Sequence, residues 1–210
     1  MKNILKLAAI AVDDIKISHK PCSQSTAGIF QCNFEGENFS SCGFASLYSG
    51  RPSLWHLLQG SSLSQKTPDH TLGSISGHMM ALDSHFDDTI ASQWFSPTDG
   101  SCLSFTYLMS GLKNNETLKM QIMKESSLSL DLVPIMWSVS SDLGHKWFTY
   151  RLTIVSDLRW KIAFTGVSNN SNSGIIAIDD INIESDNPCP PPGKCDFEVK
   201  IILNNFCKNT

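Results

Sequence analysis

Two adjacent carboxylates stand inside an apolar stretch near the end of the sequence, where residues 175–183 read IIAIDDINI. Alternate side chains of a strand point to opposite faces. A regular strand would therefore place Asp179 on an apolar face with Ile181 and Ile183, and Asp180 on the other, mixed face. A buried carboxylate without a partner costs several kcal/mol or takes up a proton. We therefore expect another group to satisfy Asp179.

Two kinds of partner could satisfy the aspartate pair. Hydrogen bonds could come from loop amides, from hydroxyls or from an arginine such as Arg51. Alternatively, oxygen ligands from several loops could hold a hard cation such as Ca²⁺ (or Na⁺). Glu35, beside an apolar phenylalanine, and Asp69, in a PDHT turn, are further candidate ligands. The hypothetical cation site consists of Glu35, Asp69, Asp179 and Asp180, although burial alone favours the hydrogen-bonded alternative.

The sequence offers little for catalysis. It lacks HExxH and P-loop patterns, and the stretch 73–77 (GSISG) has its serines one place away from a GxSxG elbow. Asp69 beside His70 is more typical of a structural turn than of a catalytic triad. The net charge of −4 argues against a nucleic-acid partner, and no apolar run reaches the roughly 20 residues of a membrane span. We therefore predict a protein that is not an enzyme.

The cysteines and the glycosylation sequons favour an extracellular location. The seven cysteines are Cys22, Cys32, Cys42, Cys102, Cys189, Cys195 and Cys207, and the sequons begin at Asn38, Asn115 and Asn169. No two cysteines form a CxxC pair, so a zinc site is not favoured. Disulfides formed in an oxidising compartment explain the long intervals better.

Two motifs recur at nearly equal offsets. The stretch 11–17 (AVDDIKI) matches 177–183 (AIDDINI), and CNFE at 32–35 matches CDFE at 195–198. A slice of a tandem array explains this order, because each chain end then carries part of a neighbouring module. The predicted organisation is the tail of a preceding module (1–22), a linker (23–31), a complete module (32–189), a proline-rich linker (190–194) and the start of a following module (195–210).

Short alternating segments predict strands in the complete module. In Lys146–Val155 the apolar residues Phe148, Tyr150, Leu152 and Ile154 share one face. Similar segments recur, separated by turns rich in glycine, asparagine and serine. Many short strands with polar turns are typical of an antiparallel sandwich or barrel.

Several of these motifs, in order over the complete module, resemble the MAM domain of meprins, neuropilins and mu-type receptor tyrosine phosphatases. They include CNFE at 32–35, PDHT at 68–71, CLSFTYLMSG at 102–111 and IAIDD at 176–180. The resemblance implies an all-β fold, a jelly-roll-like sandwich of two antiparallel sheets. The CPPPGKCDFE joint is similar to ectodomains with several MAM modules, including proteins that mix MAM and LDL-receptor class A modules.

The resemblance also implies the disulfide pairing and makes a bound cation plausible. It pairs Cys32 with Cys42 and Cys102 with Cys189. If the two recurring motifs mark repeated modules, Cys195 and Cys207 would form the first bridge of the following module. Cys22 would belong to the preceding module, and its partner would lie in the part of that module that this sequence does not include.

By resemblance, the expected function is extracellular protein–protein contact in adhesion, receptor assembly or oligomerisation, with homophilic pairing as one form and a secreted or membrane-anchored parent. The alternatives are a calcium-dependent glycan-binding jelly roll and an accessory module of a larger extracellular enzyme. Trp94 is the best candidate for an exposed stacking platform, although we expect it and the four other tryptophans to lie in the core.

Overall fold

The computed structural model describes residues 28–36, 41–48, 50, 52–63, 66–82, 87–112, 116–167 and 174–191. Several predictions lie outside the described residues. They concern the tail 1–22, most of the linker 23–31, the last part of the linker 190–194, the segment 195–210, Cys22, Cys195, Cys207, Arg51, Asn38, Asn115 and Asn169.

Eleven strands form two antiparallel sheets in the described part of the chain. They are β1 (Ile29–Cys32), β2 (Ala45–Ser46), β3 (Trp55–Gln59), β4 (His78–Leu82), β5 (Asp88–Ala91), β6 (Thr98–Ser110), β7 (Thr117–Lys124), β8 (Ile135–Ser140), β9 (Trp147–Ser156), β10 (Trp160–Val167) and β11 (Ile175–Glu184). Sheet 1 has the order β3-β4-β11-β6-β9, with β1 also paired to β11, and sheet 2 has the order β2-β5-β10-β7-β8. The predicted jelly-roll-like sandwich is confirmed.

The core lies between the sheets and follows the predicted alternation. Phe105, Met120 and Phe164 are fully buried there. On β9, Tyr150 lies opposite Phe105, so its apolar face points inward as expected. No helix of the described residues is long and apolar enough to span a membrane.

The tryptophans divide between the core and the surface. Trp55 and Trp160 are buried as predicted, whereas Trp137 and Trp147 are only partly buried. Trp94 is 38% exposed, so its expected core position is wrong. It lies in the short connection between β5 and β6.

Both disulfides implied by the family resemblance are confirmed. Cys32 at the end of β1 bonds to Cys42, and Cys102 on β6 bonds to Cys189, which follows β11. The second bridge ties β6, an interior strand of sheet 1, to the segment that follows β11.

The segment between β3 and β4 covers the outer face of sheet 1. Leu63 of this segment packs with Met79, Leu108 and Ala177 in a second apolar cluster. The indole N–H of Trp147 on β9 donates to the carbonyl of Pro68 at 2.9 Å. The covering segment is therefore fixed to the sheet by apolar packing and by at least one hydrogen bond.

Strand β11 contains a bulge at the aspartate pair. Asp179 pairs with Thr106 of β6, but Asn182 pairs with Ser104, so three steps along β11 match two along β6. Asp180 is the extra residue, and its φ of 45° is in the left-handed region. The predicted common face of Asp179, Ile181 and Ile183 is therefore wrong. The bulge returns both isoleucines to the core, while Asp179 faces the covering segment.

Candidate functional site: the carboxylates of the β11 bulge

Asp179 is fully buried and accepts two backbone hydrogen bonds. Its Oδ2 accepts from the His70 N–H at 3.0 Å, and its Oδ1 accepts from the Asp180 N–H at 2.8 Å. The first bond joins β11 to the PDHT turn, and the second stabilises the left-handed conformation of the next residue. Both carboxylate oxygens of Asp179 therefore have donors within the protein.

Asp180 binds the side chains of the same turn. Its Oδ1 accepts from the Thr71 hydroxyl at 2.7 Å, and its Oδ2 lies 2.5 Å from Nδ1 of His70. The side chain of Asp180 is 24% exposed and that of His70 is 40% exposed, so water reaches this half of the pair. Asp180 thus adds further contacts to the turn, but its side chain is less buried than that of Asp179.

Two side chains satisfy the carbonyl groups of the bulge. Thr106 on β6 donates its hydroxyl proton to the carbonyl of Asp179 at 2.9 Å. The amide of Asn182 donates to the carbonyl of Asp180 at 3.0 Å. Because buried backbone polar groups need partners, Thr106 and Asn182 make the bulge stable.

Asp69 stabilises the turn from inside. Its Oδ2 accepts from the Leu72 N–H at 2.7 Å, and its Oδ1 accepts from the Ser74 N–H at 3.0 Å. Its carboxylate also fills the space beside Gly77, where an added Cβ would lie 2.1 Å from Cγ of Asp69. The turn therefore requires both the carboxylate and the glycine.

Replacing Gly77 with alanine is expected to destabilise the module by about 1–3 kcal/mol, because the methyl group displaces the Asp69 carboxylate from its two donors. Urea unfolding followed by tryptophan fluorescence measures the loss. The matched control is Gly36→Ala, because nothing lies within 4 Å of a Cβ added there. A Gly77→Ala variant as stable as the control would contradict this packing.

The structure brings together three of the four predicted carboxylates. Asp69, Asp179 and Asp180 all contact the turn that contains His70. Glu35 accepts a hydrogen bond from the backbone N–H of His78 at the start of β4, and its Oε2 lies 3.3 Å from Nδ1 of the same histidine. Glu35 therefore stabilises the entry to β4.

Burial dominates the electrostatics of the cluster. It raises the pKa of Asp179 from 3.8 to about 7, and the neighbouring charge of Asp180 acts in the same direction. The hydrogen bond to Asp180 raises the pKa of His70, against the effect of partial burial, and the nearby carboxylates add to the rise. When His70 is protonated, its ring is a cation in direct contact with the carboxylate of Asp180.

The oxygens of the three aspartates are engaged by groups of the protein itself. Each oxygen of Asp69, Asp179 and Asp180 already accepts from, or lies against, a protein donor. The described residues contain no group of three or more His, Cys, Asp or Glu side chains placed to hold a metal ion. The hydrogen-bonded alternative therefore accounts for the observed contacts, and a cation at Glu35, Asp69, Asp179 and Asp180 stays a prediction.

Sequence reasoning missed most of the partners in this cluster. His70 was expected to be structural, but its backbone and ring bonds to two aspartates were not foreseen. Thr71 and Asn182 each lie within two residues of a predicted carboxylate, so proximity was the available signal. Thr106 carried no such signal, because only the pairing of β6 with β11 brings it there.

Comparisons with known proteins agree with the fold. The family model "MAM domain, meprin/A5/mu" matches residues 32–190. Human neuropilin-2 is 33% identical over 93 residues, which cover 44% of this chain and 9% of that protein. The chain therefore spans a small part of this relative.

Two solved structures share the sandwich. The K2 cleaved adhesin domain of Lys-gingipain, a protein of Porphyromonas gingivalis, has a TM-score of 0.54 and 14% identity and covers 74% of this chain and 99% of that one. The CBM22-1 and GH10 modules of endo-1,4-β-D-xylanase 10B from Clostridium thermocellum, solved with xylohexaose, have a TM-score of 0.52 and 12% identity. That match covers 77% of this chain and 29% of the xylanase. At such identities the likeness establishes the fold and not the ligand.

Proposed function

Because the chain belongs to the MAM domain family, we propose that its module is a non-catalytic, extracellular contact module that binds other proteins, including a second copy of this chain. The family match and the two disulfides support an extracellular location, since disulfides persist in oxidising compartments. The carboxylates of the bulge are engaged in structural hydrogen bonds, which supports a non-catalytic role.

The observation that carries this proposal is an open edge of the sandwich. Strand β8 pairs with β7, and β9 pairs with β6, so in the described part of the chain each has one edge without a strand partner. An unpaired edge offers backbone donors and acceptors to another chain. Both edges lie on the same side of the molecule, because Trp137 on β8 and Tyr150 on β9 have ring centroids 5.2 Å apart.

Partly exposed aromatic rings lie between these two edges. Tyr107 has its ring centroid 4.7 Å from that of Trp137 and 5.7 Å from that of Phe148. Phe148 is 36% exposed. Protein interfaces are enriched in such rings, which bury a large area at a low cost in side-chain entropy. We call Tyr107, Trp137, Phe148 and Tyr150 the edge aromatic cluster.

Replacing Phe148 with lysine is expected to weaken self-association at least about tenfold, or about 1.4 kcal/mol, because a charge would be buried in the contact. Sedimentation velocity over a concentration series measures the dissociation constant. The matched control is Val155→Lys, because Val155 lies on the same strand but on its opposite face and is 67% exposed.

Two outcomes would contradict the proposal. A wild-type chain that stays monomeric at every concentration would exclude the second copy as a partner. Equal effects of the two lysines would show that the edge aromatic cluster is not the contact surface.

We further propose that this module is one of several similar modules in a longer parent protein. The recurrence of DDI and of C-(N/D)-FE supports a tandem array, with residues 1–22 and 195–210 belonging to neighbouring modules. In such an array the module would present its contact surface as one of several along an ectodomain. The accessory role beside an extracellular enzyme is the second arrangement compatible with a non-catalytic module.

A further inference from the structure

Trp94 forms an exposed aromatic platform with two cations beside it. At 38% exposure, it is the most exposed tryptophan of the described residues. Nζ of Lys161 lies 4.8 Å from the centroid of its ring, and Cζ of Arg159 lies 5.9 Å away. These distances are within the range of cation–π attraction, so the indole keeps both side chains together at one place on the surface.

Neither cation has a carboxylate partner among the described residues. Nearby Lys124 shows the contrast, because its ammonium group lies 2.8 Å from Asp157. Partial burial lowers the pKa of Lys161, since no anion compensates its loss of hydration. In a chain with a net charge of −4, Arg159 and Lys161 form a local positive site that is available to an anion.

An open cleft of about 370 Å³ lies beside Trp94. This volume falls within the range of small-ligand sites, which is about 300–1,000 Å³. Phe95 and Trp160 pack together in its wall, with ring centroids 4.8 Å apart. Gln93, Ser96 and Ser185 add an amide and hydroxyl groups to the lining. The lining of the cleft therefore combines flat aromatic surface with uncharged hydrogen-bonding groups. Arg159 and Lys161 are not part of the lining, but both contact Trp94, which is.

We propose that this cleft, the Trp94 site, binds an acidic oligosaccharide. A sugar ring lies against the open side of Trp94, the amide and hydroxyl groups bind its hydroxyls, and its carboxylate or sulfate group pairs with Arg159 and Lys161. A shallow cleft suits a flat, hydroxyl-rich ring better than the branched side chains of a peptide. The Trp94 site requires no metal ion and shares no residue with the edge aromatic cluster, so each proposal can fail without the other.

Calorimetric titrations of the full chain in EDTA test this site. The probes are a heparin octasaccharide, an oligogalacturonate of equal length and a neutral cello-oligosaccharide of equal length, which separate sulfate, carboxylate and neutral ligands. At least one acidic probe is expected to bind at least about tenfold more tightly than the neutral one. Added salt is expected to weaken this binding, because it screens exposed charges.

Variants assign the binding to the named residues. Trp94→Ala and the double variant Arg159→Gln/Lys161→Gln are each expected to weaken binding at least about tenfold, whereas Trp94→Phe stays within about threefold of the wild type. The control Lys119→Gln/Lys146→Gln removes the same charge from other positions and is expected to leave binding unchanged within about twofold.

Three results would overturn the proposal. The first is that the folded wild-type chain binds neither acidic probe. The second is that the Lys119/Lys146 control loses as much affinity as the Arg159/Lys161 variant, which indicates diffuse charge attraction. The third is that a poly-glutamate peptide of equal charge binds as tightly as the sugars, which indicates a peptide site.

Discussion

Removal of the Cys102–Cys189 bridge by a double alanine substitution is expected to lower the free energy of unfolding by about 4.5 kcal/mol. The two cysteines are 87 residues apart, so the bridge closes a long loop and removes much of the conformational entropy of the unfolded chain. It also holds the end of the module against β6. This loss is comparable to the entire stability of many small domains.

Removal of the Cys32–Cys42 bridge provides the internal comparison. Its cysteines are 10 residues apart, so the same relation gives a smaller loss of about 2.7 kcal/mol. Urea unfolding at neutral pH, followed by tryptophan fluorescence, measures both. Equal losses, or a larger loss from the short loop, would contradict the assignment of the long bridge as the main covalent constraint.

Asp179→Ala is the second large effect that we expect, at about 3 kcal/mol of stability. The substitution leaves the N–H groups of His70 and Asp180 without acceptors in the interior, and each unsatisfied buried donor costs about 1–3 kcal/mol. It also releases the PDHT turn from β11. Because that turn belongs to the cover of sheet 1, the loss should be cooperative with global unfolding.

The variant Asp180→Ala tests whether the loss of stability in Asp179→Ala comes from the lost hydrogen bonds or only from the removal of a negative charge. It also removes one carboxylate, but its partners are the Thr71 hydroxyl and the ring of His70, which water can reach. We expect a loss below about 1 kcal/mol, measured by the same urea titration. An Asp180→Ala variant that is as unstable as Asp179→Ala would contradict the anchoring role of the buried carboxylate.

The architecture could be predicted from the sequence because the patterns that indicate strands and turns recur along the whole module. Alternation in Lys146–Val155, together with the order of the family motifs, predicted the strands, the sandwich and both bridges of the module. Each of these features depends on many residues that agree with one another. One irregular position therefore did not disturb the prediction of the fold.

The bulge could not be predicted, because it depends on pairing between strands. A regular alternation through Asp179 and Asp180 is the natural reading of IIAIDDINI, and it assigned the wrong face to the following isoleucines. The bulge lies between the part of β11 that pairs with β4, up to Ile178, and the part that pairs with β1, from Ile181 onward. The sequence of one strand does not contain the information about where its neighbouring strands begin and end.

The position of Trp94 was predicted wrongly for a related reason: the sequence singled it out as a candidate stacking platform but favoured the core for it. The local sequence ASQWFSP shows an apolar residue among polar ones, which fits a core position or a surface position equally well. The two cations that define the Trp94 site come from residues 159 and 161, far along the chain. Only the fold brings the three side chains together.

These observations give the two conspicuous aspartates a structural role. They form a bulge, and their carboxylates hold the turn that covers sheet 1. The surfaces that we propose for contact with partners, the edge aromatic cluster and the Trp94 site, include none of these carboxylates. The central claim is that hydrogen bonds, and not a cation, satisfy the carboxylates.

The melting temperature as a function of pH, in EDTA and in excess Ca²⁺, tests this claim most directly. Asp179 binds its proton more tightly in the folded state, with a pKa of about 7 against 3.8, so stability should rise as the pH falls from about 8 to about 5.5. The raised pKa of His70 acts in the same direction. A bound cation reverses the sign, because it requires ionised carboxylates.

We therefore predict a melting temperature that increases on acidification over this range and that Ca²⁺ changes by less than about 1 °C. The isosteric variant Asp179→Asn, measured in parallel, should lose most of the pH dependence, which assigns the effect to this carboxylate. A melting temperature that Ca²⁺ raises at about pH 8, with the gain lost at about pH 5.5, would contradict the account and place a cation among the carboxylates of the β11 bulge.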